Sequence, residues 1–208
     1  MLKRRNEPED QQAFPDAKRA RVGSPSEPTD LNHADYTIGW ICALPKEQTA
    51  AIAMLDRKHP DLPSPANDGN VYTLGSISGH NIVIACLPKG RYSTNSAATI
   101  AAKMISSFPS IKFGLLVGIG GGIPSKVRLG DVVVSALINQ YPGVVQWDFS
   151  KAEDGRKFRQ TRVLDSPPNA LLKVLAKLES EHEMQEPKIP RYLDEIKQKW
   201  PRLYPKYF

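Results

Sequence analysis

Three short stretches hold the residues whose types and spacing could do chemistry. In the first, LPKE (44–47), Pro45 suits the opening turn of a helix and Glu47 falls within that turn. A carboxylate there is favoured by the helix dipole and stands close to the end of the preceding apolar run, where it can face a pocket. An acid in a first helical turn also needs no further role. The second stretch, GIGGGIP (118–124), has four glycines in five residues directly after an apolar run. Bare backbone after a buried strand often cradles phosphates or nucleotides, because main-chain N–H groups can approach an anion. Two well-known versions fail here. A P-loop needs Lys and then Ser or Thr after its last Gly, whereas Gly122 is followed by Ile123, Pro124, Ser125 and Lys126. A dinucleotide fingerprint begun at Gly118 needs Gly or Ala where Ile123 stands, and Pro124 interrupts the following helix. The third stretch, LPKGRYSTNS (87–96), runs from a strand end into a helix start, with Thr94, Asn95 and Ser96 as candidate caps. Cys42 and Cys86 fall in apolar runs without disulfide or zinc spacing and read as small core residues.

The elements around these stretches are legible from hydrophobic pattern. YTIGWICAL (36–44) is a mostly apolar, β-rich run, and a helix is expected from Pro45 with Ala50, Ile52, Ala53 and Leu55 on its apolar side. NVYTLGSISGHNIVIACL (70–87) reads as two antiparallel strands joined at Ser78 and Gly79. TNSAATIAAKMISSF (94–108) reads as an Ala-rich helix able to pack closely on a sheet. KFGLLVGIG (112–120) and DVVVSALIN (131–139) supply two further strands. A helix with Ser166 as cap and Leu171, Leu172, Leu175 and Leu178 on one face follows, and RYLDEIKQKW (191–200) reads as an amphipathic helix. The class is α/β, a mixed central sheet flanked by helices. In such sheets ligands collect beyond the carboxyl ends of the strands, and each of the three stretches follows an apolar strand.

At 208 residues and 40% hydrophobic content, the chain can hold one domain with a real core. No run reaches the roughly 20 apolar residues of a membrane span and no signal peptide opens the chain, so a soluble intracellular protein, nuclear or cytoplasmic, is expected, without a membrane partner. The net charge of +6 is spread over loops and helix faces without interleaved aromatics, which argues against a nucleic-acid platform. Residues 1–34 carry six basic and six acidic side chains and four prolines, too little apolar surface to order; a disordered tail is expected there, with the folded domain over 35–208. Within that tail KRR (3–5) and KRAR (18–21) resemble a bipartite signal for a nuclear import receptor.

IGWICALPKEQTAA, GRYSTNSAA, LLVGIGGGIP with RLGDVVVS, and GVVQWDFSK occur in order and together resemble the nucleoside phosphorylase and nucleosidase family, in particular its fungal branch at the N-terminus of larger signalling proteins. The resemblance spans about residues 35–185. It implies the family's α/β fold and cleavage of the N-glycosidic bond of a nucleoside, purine in type, by phosphate or by water, with no cofactor and no metal and with phosphate as the alternative co-substrate. It makes Gly120, Gly121 and Gly122 the floor under base and ribose, beside Ile119, where many relatives offer a hydroxyl. It places Glu47 on the acid that positions or deprotonates the attacking water, and self-association into a homo-oligomer follows from it too. Gly130 and Asp131 read as structural. Arg91, Ser93 and Thr94 can supply phosphate contacts, since a guanidinium beside a helix N-terminus suits an anion. The family continues through strands bearing a Met-Glu pair for the ribose hydroxyls and an Asp for the leaving purine; no such Glu-Met-Glu element or later Ser-Asp follows here. Asp194 and Glu195 read as solvated acids, and the domain is expected to be incomplete at its C-terminus.

Overall fold

The computed structural model describes residues 31–138, 141–145, 150–153, 157–160 and 165–207. The tail up to residue 30, with both basic clusters, and much of GVVQWDFSK lie outside the described residues. Leu31 packs against the core, and a 3-10 turn at His33–Asp35 follows, closed by Asn32, whose Oδ1 accepts the Ala34 N–H at 2.8 Å.

The sheet is built from β1 (Ile38–Cys42), β2 (Arg57–Lys58), β3 (Tyr72–Ile77), β4 (His80–Cys86) and β5 (Phe113–Leu116), in the spatial order β2-β3-β4-β1-β5. β1 pairs parallel with β4 and with β5, while β3 runs antiparallel to β4 and β2 to β3. The sheet is therefore mixed, as the pattern implies. β3 and β4 are joined by Ser78 and Gly79 with φ of 49° and 80°. Both values lie in the left-handed region that a two-residue turn between twisted strands demands, which Gly accepts without strain.

Two helices cover opposite faces. α1 (Pro45–Ala53) starts with Pro45, as its fixed φ favours. It packs Ala51 and the adjoining Leu55 against Trp40, Cys42, Ile82 and Ile84. α2 (Thr94–Ser107) packs Ile100 and Met104, with the adjoining Phe108, against Leu74, Val83, Ala85 and Leu87. β4 thus alternates Ile82 and Ile84 toward α1 with Val83 and Ala85 toward α2, as a period of two requires. Burial of each large apolar side chain contributes about 1.5–3 kcal/mol, so β4 and β1 form the most stabilised part of the sheet. Gly39 on β1 lets α2 approach, since a Cβ there would lie 2.7 Å from the Met104 sulfur.

Several expectations need correction. The cap of α2 is Ser93, whose Oγ accepts the Ser96 N–H at 3.2 Å, one residue before the expected candidates. α3 (Asn169–Met184) begins after Pro168, which occupies the cap position without a side-chain bond, so Ser166 stands too early to cap it. No α3 side chain is buried, and its leucine face is only partly covered. The strand expected over 131–139 is not formed among the described residues: one isolated bridge joins Ile138 to Tyr141. A strand requires a neighbour for its N–H and C=O groups, and apolar composition alone does not supply one. A hairpin of β6 (Ser150–Glu153) and β7 (Lys157–Gln160) is present that the pattern did not suggest. α4 (Ile189–Lys199) matches the expected amphipathic helix, and the chain closes with α5 (Tyr204–Tyr207). The Lys199 ammonium and, at 3.3 Å, the Trp200 indole N–H donate to the carbonyls of Leu55 and Ala53 at the C-terminal end of α1. Glu195 on α4 pairs with Arg191 at 2.9 Å and is exposed, as is Asp194. No described helix is long and apolar enough to cross a membrane.

Candidate functional site

Because β1, β4 and β5 are mutually parallel, their carboxyl ends share one edge, and the three stretches singled out from sequence emerge there side by side. Main-chain bonds carry the pairing right up to the loops: Leu87 N donates to Cys42 O at 2.9 Å and Val117 N to Ile41 O at 3.1 Å.

Glu47 is the best-fixed group at this edge. It is buried, and its Oε2 accepts the N–H groups of Ala43 and Leu44, both at 2.8 Å, while Oε1 accepts the Ile119 N–H at 2.8 Å. The carboxylate therefore ties the loop after β1 to the loop after β5. Its proximity to the thiols is visible in their ionisation. Burial, then the neighbouring Cys86 and Glu47, pushes the Cys42 thiol up to about 12, and burial followed by Glu47 raises Cys86. Both sulfurs stay protonated and are poor nucleophiles, in line with the core role read from sequence.

The glycines divide into different roles. Gly118, which was not singled out as a site residue, is the one the carboxylate requires: a Cβ there would lie 2.6 Å from Glu47 Oε1. No sequence signal marks this contact, because it forms only when the ends of β1 and β5 meet in the sheet. At Gly120 and Gly121 an added Cβ would meet nothing within 4 Å, whereas at Gly122 it would press on Val127 at 3.0 Å. None of these glycines has a positive φ, so the bare backbone is not a conformational demand at these positions. Ile119 contributes its N–H to Glu47 while its side chain is exposed.

In the loop after β4, Arg91 N donates to Pro88 O at 2.9 Å across a turn whose Gly90 has φ 83°, the geometry of a type II turn. Arg91, Ser93 and Thr94 are all exposed. The Ser93 hydroxyl is occupied, accepting from Ser96 N and donating to Ser96 Oγ at 3.1 Å. Gly130, with φ 91°, and Asp131, whose carboxylate accepts the Arg128 N–H at 2.8 Å, close a tight turn beyond the glycines and fit a structural role.

A cavity of about 170 Å³ lined in part by His33, Asp61, Ser64, Asn70 and Ser107 shares no residue with these loops. Beside it Asp68 is buried and accepts from Ser107 Oγ at 2.5 Å, Tyr72 OH at 2.7 Å and Asn70 N at 3.0 Å, anchoring the 59–71 loop to α2 and β3.

No family profile matches the chain. It is 56% identical over 148 residues to a nucleotide-binding leucine-rich repeat (NLR)-like protein of Hyaloscypha variabilis, a match covering 69% of this chain and 15% of that protein. It is 28% identical over 125 residues to the 5'-methylthioadenosine/S-adenosylhomocysteine nucleosidase of Mycobacterium tuberculosis, covering 58% of this chain and 42% of that one. The chain is similar in sequence to nucleosidases. Among solved structures, the MTA/SAH nucleosidase of Streptococcus pneumoniae in complex with 8-aminoadenine aligns at 21% identity and a TM-score of 0.41, covering 68% of this chain and 58% of the other. Helicobacter pylori MTAN aligns at 18% identity and a TM-score of 0.41, covering 71% and 62%. The chain spans less than half the length of the curated relatives it matches.

Proposed function

We propose that this chain is the front part of a nucleosidase-type domain, binding a purine nucleoside at the carboxyl edge of β1, β4 and β5 and directing water onto its N-glycosidic bond. The observation that carries this reading is the setting of Glu47. A carboxylate offers about four acceptor positions, and three are taken by backbone N–H groups, which leaves one on Oε1. A water held at that position would lose a proton to the carboxylate as it attacks the ribosyl carbon, while the bond to the purine breaks and the base leaves with the bonding electrons. The open space over Gly120 and Gly121 leaves room for base and ribose. The 28% identity to a nucleosidase supports the same chemistry.

Phosphate as the attacking group has weaker support, because the Ser93 hydroxyl is committed to the helix cap and only Arg91 and Thr94 are left to hold an anion. A second reading is a nucleoside-binding module without turnover inside a larger signalling protein. It is favoured by the match to 15% of an NLR-like protein.

The deciding experiment incubates the chain with inosine, adenosine and methylthioadenosine, with and without phosphate. Base release in plain buffer supports the nucleosidase reading, and release only with phosphate replaces it by a phosphorylase. Saturable binding without release leaves the module. Absence of both binding and release overturns all three. For localisation, we propose that the two basic clusters of the tail act in nuclear import; retained nuclear accumulation after Lys18, Arg19 and Arg21 are changed to Ala would overturn that.

A further inference from the structure

We propose that Cys42 and Cys86 close into a reversible disulfide that loosens the hold of Glu47 on the loop after β5, a redox switch set into the carboxyl edge of the sheet. Strand register brings the two free thiols together: β1 pairs parallel with β4 so that Cys42 stands directly beside Cys86. Both side chains join the apolar cluster of Trp40, Ile82 and Ile84 under α1, so they leave the sheet on the same face. Neighbouring strands lie about 4.8 Å apart, inside the window of roughly 4.4–6.8 Å between Cα atoms that a disulfide bridges. Leu87 N, donating to Cys42 O at 2.9 Å, pins the two strand ends at this register. Spacing along the chain gives no sign of the pair, because the two residues meet only across the sheet.

Burial, Cys86 and Glu47 hold the Cys42 thiol up at about 12, while the indole N–H of Trp40, buried and without a hydrogen-bond partner among the described residues, works the other way. Scarce thiolate makes the bond slow to form without making it unstable once formed. The oxidant is a peroxide. Cys86, half-buried where Cys42 is fully buried, reacts first: its thiolate attacks one peroxide oxygen, the O–O bond breaks, and the released hydroxide takes up a proton, leaving a sulfenic acid. The Cys42 sulfur then gives up its proton and attacks the Cys86 sulfur; the S–S bond forms, the S–O bond breaks and water leaves. Two thiols have lost two electrons and two protons, and hydrogen peroxide has become two waters. A small dithiol reverses the step by exchange and is itself oxidised to a disulfide. The mechanical consequence follows from strand order. A disulfide needs its Cβ atoms about 3.5–4.5 Å apart, closer than the strand spacing, so the bond draws the end of β1 toward β4. Because β1 lies between β4 and β5, that movement is away from β5. Ala43 and Leu44, directly after Cys42, hold Glu47 Oε2, and Oε1 holds the Ile119 N–H beyond β5, so the bond to Ile119 is the one that lengthens.

The test exposes the full chain to hydrogen peroxide, then unfolds it in a thiol-alkylating reagent and weighs it, with amide hydrogen exchange measured on the reduced and oxidised forms. The chain has two cysteines, so the thiol count reads the pair directly. The expected product has lost two hydrogens, takes up no alkylating reagent, yields one linked peptide holding residues 42 and 86, and regains both thiols in dithiothreitol. In this form the Ile119 amide should exchange on the order of tenfold faster than in the reduced chain. Cys42→Ala should stop the reaction at the Cys86 sulfenic acid, trapped by dimedone, and Cys86→Ala should leave the Cys42 thiol open to alkylation after unfolding. None of these readouts requires turnover, so failure of the nucleosidase reading and failure of the switch are separate results. Two thiols that survive prolonged peroxide, oxidation of each sulfur separately to sulfinic acid, a bond joining two chains instead of one, or a bond that leaves exchange at Ile119 unchanged would each overturn the proposal, and the first three are read on the wild-type chain by mass alone.

Discussion

Glu47 carries two duties in one carboxylate, and substitution separates them. In Glu47→Gln the amide keeps one acceptor oxygen but turns an NH₂ group toward a backbone donor, either at Ile119 or at Ala43 and Leu44. Leaving such a part-buried donor without its partner costs on the order of 1 kcal/mol, to be read from the shift in urea unfolding. If Glu47 is also the base, hydrolysis should fall about a hundredfold or more in any form of the chain that turns over. Full turnover in a destabilised variant would reduce the residue to a strut between two loops. The glycines offer a cleaner pair. Gly118→Ala sets a methyl group 2.6 Å from Oε1 and must displace the carboxylate, so both stability and turnover should drop. Gly121→Val meets open space and no positive φ, so its unfolding midpoint should match the wild type while nucleoside affinity falls. Unchanged affinity in a folded Gly121→Val protein would remove the glycine turn from the binding surface.

At the scale of elements, α2 illustrates how a cap residue can be mistaken for a ligand residue. Ser93→Ala removes the acceptor for Ser96 N and should lower stability by about 1 kcal/mol. Because its hydroxyl is already engaged, the substitution should leave any weak phosphate binding at Arg91 within a factor of two, measured by titration with inorganic phosphate; a large loss would restore Ser93 to an anion site. The same helix shows what sequence can reveal. Its extent, the hairpin at Ser78 and Gly79 and the start of α1 at Pro45 all follow from local pattern, because period, turn residues and caps act within a few positions. The joining of Glu47 to Ile119, 72 positions apart, depends on which strand ends lie side by side in the sheet, and local pattern is silent on that. The run 131–138 fails in the opposite sense: its composition is right for a strand, but strand formation is a property of a pair.

For the molecule as a whole, two buried ionisable groups on the same side of the sheet link folding to pH. His59 is buried, its Nδ1 lies 3.0 Å from the Tyr36 hydroxyl, and its Nε2 has no partner among the described residues. Burial, reinforced by the charge of Arg57, holds its pKa below the ordinary 6.5. Above that value both folded and unfolded chains hold a neutral ring. As pH falls below 6.5 the unfolded chain takes up the proton first, so stability declines until the lowered folded pKa is reached. Asp68 acts in a lower window. Burial alone would raise its pKa, but the hydroxyls of Ser107 and Tyr72, the Asn70 N–H and the charge of Lys103 hold it below 3.8. Its contribution is therefore present above 3.8 and is lost as pH falls through the depressed folded value. Urea unfolding midpoints followed downward from neutral pH should show a first decline beginning near 6.5 and a second below 3.8. In His59→Gln the first decline should shrink, because the amide cannot take up the proton, while the second persists; in Asp68→Asn the second should shrink and the first remain. Identical pH profiles for wild type and His59→Gln would show that the buried imidazole has no part in acid sensitivity, and that the loss of stability comes from carboxylates alone.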